Sequence, residues 1–324
     1  KDHIFSNSTY KDIKTHTTHI TIQEIKKNNL TCVNIDRVDD EAITYLKSNY
    51  NFHHLDLEDV QSETQTPKID VYKNYLFLVL HVPQWSGSTK QILSHEMNVF
   101  VGDDFLITIQ HTKNKEIKNF FYRCMNNKKV NSEWLSEGSG FLLYKLVEAL
   151  FQKSRPILNN IGRQISKVEN EIFASEQDIR EIRELAIHRR NILSFRRIID
   201  PQRYLMSNLS HTRKSFLDES LSLYFDNTRD YLDKLWAIVE TYKDTINGLH
   251  LTVESIINQR TNKIVPVLVF MSAAFLPLTL RSGIYGMNIA LPFAHTPLAV
   301  FSMFILLLLI IFIAIIVMRK NKWL

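Results

Sequence analysis

Two rhythms of hydrophobic and polar positions divide this chain. Up to about residue 135 the apolar residues come in short runs and alternations. His19 to Ile25 alternates apolar with polar, Thr31 to Ile35 is short and β-prone, and Tyr75 to Val82 is a dense apolar run suited to a buried strand. Met97 to Ile109 predicts a hairpin turning on Gly102-Asp103-Asp104, and Asp39 to Asn51 predicts a helix with acidic residues in its first turn. Residues 1–135 therefore read as an α+β domain.

From about Gly138 the period becomes helical. Phe141, Leu142, Tyr144, Leu146, Leu150 and Phe151 open a helix expected to pass Pro156 and end near Phe173. A second helix is expected from Asp178 to Leu209, bent or broken at Pro201, because proline lacks a donor and clashes with the preceding turn. Then Phe225, Thr228, Leu232, Leu235, Val239, Tyr242, Ile246, Leu249, Val253 and Ile256 keep 3,4 spacing without a slip, the seam of a coiled coil. A helix running from Leu217 to near Gly283 would be about 100 Å long, too long for the core of a small globule. Residues 136–263 are thus expected to form a helical hairpin and a stalk. A plain coiled coil would explain the seam but leave the following apolar segment without a use.

That segment, 264–324, holds two uncharged stretches. Ile264 to Leu280 has seventeen residues and Pro297 to Val317 has twenty-one. Both suffice for a hydrocarbon layer about 30 Å thick, the first marginally, which predicts spans at about 264–283 and 297–317. Arg260 and Lys263 precede the first span and Arg319, Lys320 and Lys322 follow the second, while Ser282 to Thr296 has no Lys or Arg. The positive-inside rule then places both termini in the cytoplasm, with a basic cytoplasmic tail. Two helices cannot wall a pore, so any transport function requires a ring of subunits. Val265, Leu268, Ser272, Leu276 and Thr279 share one heptad-spaced stripe; by spacing alone it reads as a helix-packing or lipid-facing surface.

Composition narrows the function further. The formal charge is +5, but Lys and Arg are interleaved with Asp and Glu and no aromatic-spaced basic stripe occurs, which argues against nucleic acid. Cys32 and Cys124 are far apart without metal-ligand spacing and read as ordinary semi-buried thiols of a reducing compartment. The first residues contain no signal-like apolar run, so the region before the first span is expected in the cytosol. No nucleophile elbow, zincin helix or phosphate loop is present; we expect no enzyme and no cofactor.

The connector Tyr285-Gly286-Met287-Asn288 resembles the signature loop of the CorA family of magnesium/cobalt transport proteins. With it come Asn262, Pro277-Leu278-Thr279, Gly283-Ile284 and the ending Lys322-Trp323-Leu324, in family order. The soluble part is similar as well, through Phe52-His53-His54-Leu55, Glu58-Asp59, Pro67-Lys68, the Tyr75 to Leu80 strand, and Tyr224-Phe225 with Asp230. The resemblance implies a funnel-shaped homopentamer in the cell (inner) membrane: an α+β cytoplasmic domain, a long stalk helix and two transmembrane helices. It would carry magnesium, with cobalt or nickel as further ions, driven by the membrane potential. Gly286, Met287 and Asn288 would form the outer ion-capture loop, and Val265, Leu268, Ser272, Leu276 and Thr279 would line the pore. The family's regulatory acidic position on the stalk falls on Asn227; Asp230 lies beyond it, and the neighbouring Asp226 is offset by 100°. An acidic residue common after the signature loop is missing, and His295 stands there instead as a candidate ligand for softer metals. Two alternatives stay open, zinc transport of the ZntB-like branch and a non-transporting coiled-coil scaffold or sensor anchored in the membrane.

Overall fold

The computed structural model describes residues 3–5, 8–14, 21–62, 66–174, 179–287 and, in the last segment, 298, 301–302, 305–306, 308–310, 312–313 and 316. The chain divides into two compact units, Lys1–Asn247 and Gly248–Leu324.

The first unit is built on an eight-stranded sheet: β1 (His3–Phe5), β2 (Ser8–Lys14), β3 (Thr21–Lys27), β4 (Leu30–Ile35), β5 (Lys68–Val71), β6 (Tyr75–Ser86), β7 (Gln91–Gly102) and β8 (Phe105–Gln110). Their order is β1-β2-β3-β4-β8-β7-β6-β5, and only β4 and β8 run parallel. Two helices, α1 (Asp40–Asn49) and α2 (His54–Gln61), lie in the crossover between those parallel strands. Asp39 starts α1 by accepting from the Ala42 N–H at 2.8 Å, and Asp40 and Glu41 then sit where the helix dipole favours negative charge. Residues 91–110 form the expected hairpin, closed around Asp103 and Asp104 with Met97 opposite Gln110.

The core lies on both faces of the sheet. On one, Val33, Ile35, Phe77, Val79, Phe100, Ile107 and Ile109 pack with Ala42, Ile43 and Leu46 of α1 and Leu57 and Val60 of α2. The alternate residues Leu76, Leu78, Leu80, Val99 and Val101 are fully buried too. Burial on two sides explains why Tyr75 to Val82 is continuously apolar rather than alternating.

After the sheet come α3 (Lys115–Asn126), α4 (Lys128–Trp134), α5 (Ser139–Gln152), α6 (Ser154–Ala174), α7 (Ile179–His211) and α8 (Glu219–Tyr285). Helices α5, α6 and α7 pack against β6 and β7. The single helix expected from Phe141 to Phe173 is two helices, parted at Lys153. A proline ring clashes with the carbonyl four residues before it, which for Pro156 is that of Gln152, the last residue of α5. Restarted at Ser154, α6 carries the proline in its first turn, where no intrahelical donor is needed. At Pro201 there is no break: α7 continues through it. Buried Ile198 and Ile199 before the proline and Leu205 and Met206 after it hold the two halves to the same core. Cys32 and Cys124 are completely buried rather than semi-buried; burial pushes the Cys124 thiol up to about 12 and Cys32 well above its usual range.

Of the seam residues on α8, Phe225, Thr228, Leu232, Leu235, Val239, Ile246, Leu249 and Val253 are buried and Tyr242 and Ile256 are half-buried. Strands β1, β2 and β5 and helix α2 were not anticipated, because their apolar residues are too few and too interrupted to set a period.

Gly140 of α5 marks the tightest approach in this unit. A Cβ there would overlap the Phe216 carbonyl oxygen and come within 2.8 Å of Leu221 Cδ1. Backbone cannot yield as a flexible side chain can, so Gly140→Ala is expected to lower stability by about 3 kcal/mol, measured by denaturant unfolding. His95 supplies a pH dependence. It is 3% exposed, its Nδ1 lies 3.2 Å from the Thr112 hydroxyl, and burial pushes its pKa down from 6.5 to about 4. The unfolded chain binds the proton more readily, so the stability due to a neutral His95 is complete above pH 6.5 and is lost as pH falls towards 4. The loss is on the order of 3 kcal/mol, and a His95→Gln variant unfolded over the same pH range should show a flatter profile.

Candidate functional site

The residues of the α8 stripe sit in a stretch that is apolar on every side and uncovered within one chain. Val265 is 48% exposed, Leu268 66% and Leu276 67%, and so are residues pointing other ways, Val269 at 61% and Phe275 at 52%. Such a helix is stable only where lipid or other protein surrounds it. It is the one helix among the described residues long and apolar enough to cross a membrane. It passes through Pro266 and Pro277 without a break.

Two hydroxyls interrupt the stripe. Ser272 Oγ donates to the Leu268 carbonyl at 2.9 Å and Thr279 Oγ1 to the Phe275 carbonyl at 3.1 Å. Each proton is thereby used inside the helix, and the oxygen lone pairs are left to face outward. The stripe therefore offers acceptors at Ser272 and Thr279 separated by apolar steps at Leu268 and Leu276, and no charge. At the end of α8 the Gly286 N–H donates to the Ser282 carbonyl at 3.0 Å and the Met287 N–H to the Ile284 carbonyl at 3.2 Å, which closes the last turn. Gly286 and Met287 are exposed beside one another. Asn288 and His295 lie outside the described residues, as do ten of the twenty-one residues of the expected second span.

The stalk residues Asp226 and Asp230 share a counter-ion. Arg229 lies 3.2 Å from Asp226 and 3.4 Å from Asp230, and Asn227 is exposed beside them. Among the described residues no group of three or more His, Cys, Asp or Glu side chains could hold a metal ion. The other residues of the soluble resemblance have structural tasks. Asp56, 1% exposed on α2, accepts from the hydroxyls of Tyr72 and Tyr75 at 2.7 Å each, and the Tyr75 oxygen accepts from the His53 N–H at 2.8 Å. Burial and that carboxylate push Tyr72 up to about 12. Phe52 stacks on Phe100 at 4.0 Å between ring centres, and Lys68 pairs with Asp59 at 2.6 Å. Asp56 was missed in the sequence, because it stands beside other carboxylates and its tyrosine partners lie 16 and 19 residues further on.

An α+β domain followed by a helix that ends in an all-round apolar segment is the build of a membrane protein with a large soluble part. The family described as CorA-like Mg2+ transporter protein matches residues 28–320, and the chain belongs to that family. It is 25% identical over 288 residues to the cobalt/magnesium transport protein CorA of Thermotoga maritima, covering 85% of this chain and 78% of that one. It is 20% identical over 316 residues to the zinc transport protein ZntB of Yersinia pseudotuberculosis, covering 95% and 92%. Among solved structures, the complete CorA magnesium transporter of Methanocaldococcus jannaschii matches with a TM-score of 0.76 at 19% identity, over 99% of this chain and 100% of that one. The full-length CmaX protein matches with a TM-score of 0.70 at 17% identity, over 96% and 91%. These likenesses establish the fold over the whole length, and divalent-cation transport is the activity of the family.

Arg229 and Asp226 are half-buried and Asp230 is exposed, so Arg229→Ala should change the free energy of unfolding by about 1 kcal/mol in a denaturant titration.

Proposed function

We propose that this chain is one subunit of a ring-shaped channel that admits divalent cations, magnesium first, down the membrane potential. One observation carries the reading: α8 holds an apolar segment, uncharged from Ile264 to Leu280, whose stripe presents outward-facing hydroxyl oxygens at Ser272 and Thr279. In a homopentamer those stripes face one axis. Leu268 and Leu276 then form rings that can close by dewetting, Val265 lies below them, and Ser272 and Thr279 form polar steps. Residues 136–263 act as hairpin and stalk, and residues 264–324 cross the membrane twice, at about 264–283 and 297–317, with both termini in the cytoplasm.

Capture falls to Gly286, Met287 and Asn288. Magnesium gives up water reluctantly, so neutral carbonyl and amide oxygens that bind the hydrated ion suit it better than carboxylates that strip it. A divalent ion moving inward gains about 4.6 kcal/mol per 100 mV, twice the value for a unit charge, so no nucleotide hydrolysis is required. Regulation by a cation at Asp226, Asn227 and Asp230 requires Arg229 to release both carboxylates first. That competition favours a higher cation concentration for sensing here than a site of free carboxylates would need.

Zinc transport is the second reading, favoured by the ZntB relative and by His295, an imidazole ligand that suits zinc, cobalt and nickel. Uptake into proteoliposomes separates the readings. With an inside-negative potential and a magnesium-sensitive dye, the wild type is expected to fill the vesicles, and Asn288→Ala to reduce the initial rate at least tenfold. Zinc flux without magnesium flux would favour the second reading. Silence with magnesium, cobalt and zinc alike would leave a membrane-anchored scaffold.

A further inference from the structure

We propose that the cleft between the β6–β7 hairpin tip and helices α6 and α7 is a binding site for a small phosphorylated ligand that carries a planar ring, a nucleotide in chemical class. It lies wholly within the first unit and far in sequence from the apolar stripe. Its volume is about 450 Å³, within the roughly 300–1,000 Å³ usual for small-molecule sites. Trp85, Gly87 and Lys90 come from the hairpin, Gln164 and Lys167 from α6, and Glu184, Ile187 and His188 from α7.

The walls are fixed. Asn191, 1% exposed, accepts from the Ile92 N–H at 3.1 Å and donates to the Lys90 carbonyl at 3.1 Å, so one buried amide latches the hairpin to α7. The neighbouring Gln91 strengthens the latch: in the amide orientation that satisfies both groups, its oxygen accepts from the two terminal nitrogens of Arg190 at 3.1 and 3.0 Å. Lys90 itself turns the chain with φ of 54°. A pocket held in this way loses little freedom when a ligand enters.

One group in the lining points to an occupant. His188 is 6% exposed, and its Nδ1 is buried without a hydrogen-bond partner. Leaving such an atom unpaired is unfavourable, and a turn of the imidazole toward the cleft would let a ligand oxygen or nitrogen pair with it. Chemistry in the lining then selects the ligand. Two ammonium groups, Lys90 and Lys167, favour an anion; Lys167 lies 3.6 Å from the Glu171 carboxylate but is 69% exposed and able to turn. The indole of Trp85 offers a flat apolar face on which a ring stacks. Glu184, one turn before His188, supplies an acceptor for a ring amine or a sugar hydroxyl. The transported cations are unsuited to this place, where lysines outnumber the single carboxylate of the lining.

The test is calorimetric titration of the full chain, solubilised and freed of divalent cations by a chelator, with ATP, adenosine and tripolyphosphate as probes. ATP is expected to bind saturably, and adenosine and tripolyphosphate each at least tenfold more weakly. Lys90→Glu and Lys167→Glu should each weaken ATP at least tenfold, and Trp85→Ala at least fivefold, with unfolding temperatures close to that of the wild type. Absence of ATP binding to the wild type overturns the proposal. So does an ATP affinity that none of the three variants changes, and tripolyphosphate binding as tightly as ATP overturns the ring-binding part.

Discussion

Everything in this protein depends on the backbone hydrogen bonding of one helix. A peptide group leaving water for hydrocarbon must bring its partner along, and a helix satisfies each N–H and C=O within its own segment. Glu219–Tyr285 does this along one continuous helix except at Pro266 and Pro277, although its side chains change character completely along the way. At the start it buries a seam of Phe225, Leu232, Leu235 and Val239, and by Ile264 it is apolar on all sides. Prolines 266 and 277 each take away one N–H and leave one carbonyl, that of Asn262 or Ala273, without its intrahelical donor, whereas a broken helix would expose several such groups.

The soluble unit fixes where that helix begins. Gly140 lets α5 touch the backbone at Phe216, just before α8, and Gly162 of α6 leaves room for the Tyr242 ring of α8. Charged contacts add direction: Arg196 reaches Glu240 at 2.6 Å, and both Arg196 and Arg203 lie over the Trp236 ring, 4.9 Å from its centre. On the sheet side, α2 is tied down by Asp56 through two tyrosine hydroxyls, a neutral-to-charged pairing stronger than ordinary hydrogen bonds. The helices meet the sheet through buried apolar faces, and these close approaches and charged contacts set how the helices lie against one another.

The chemistry of transport and the chemistry of the soluble unit make opposite demands. Along the apolar part of α8 the only polar side chains on the stripe are hydroxyls whose protons stay inside the helix, which keeps charge off that face. Along α8 the carboxylates of Asp226 and Asp230 are matched by Arg229, and the hairpin cleft is lined by Lys90, Lys167 and His188. Weak, neutral contacts suit an ion that must leave again, and fixed charges suit a ligand that should stay.

By itself, the sequence determined the elements with a strong period and the segments with a physical limit on length. The Tyr75 strand, the hairpin at Asp103-Asp104, the seam from Phe225 and the uncharged run from Ile264 are all local patterns, and the loop around Gly286 carried the resemblance that the family match bears out. Tertiary structure alone decided what depends on partners distant along the chain. Pro156 and Pro201 have the same local chemistry, yet only the packing around them makes one a break and the other a continuation. Burial of Asp56 between Tyr72 and Tyr75, the parallel pairing of β4 with β8, and the unpaired Nδ1 of His188 in its cleft likewise leave no periodic trace, because each is set by which surfaces meet after the chain has folded.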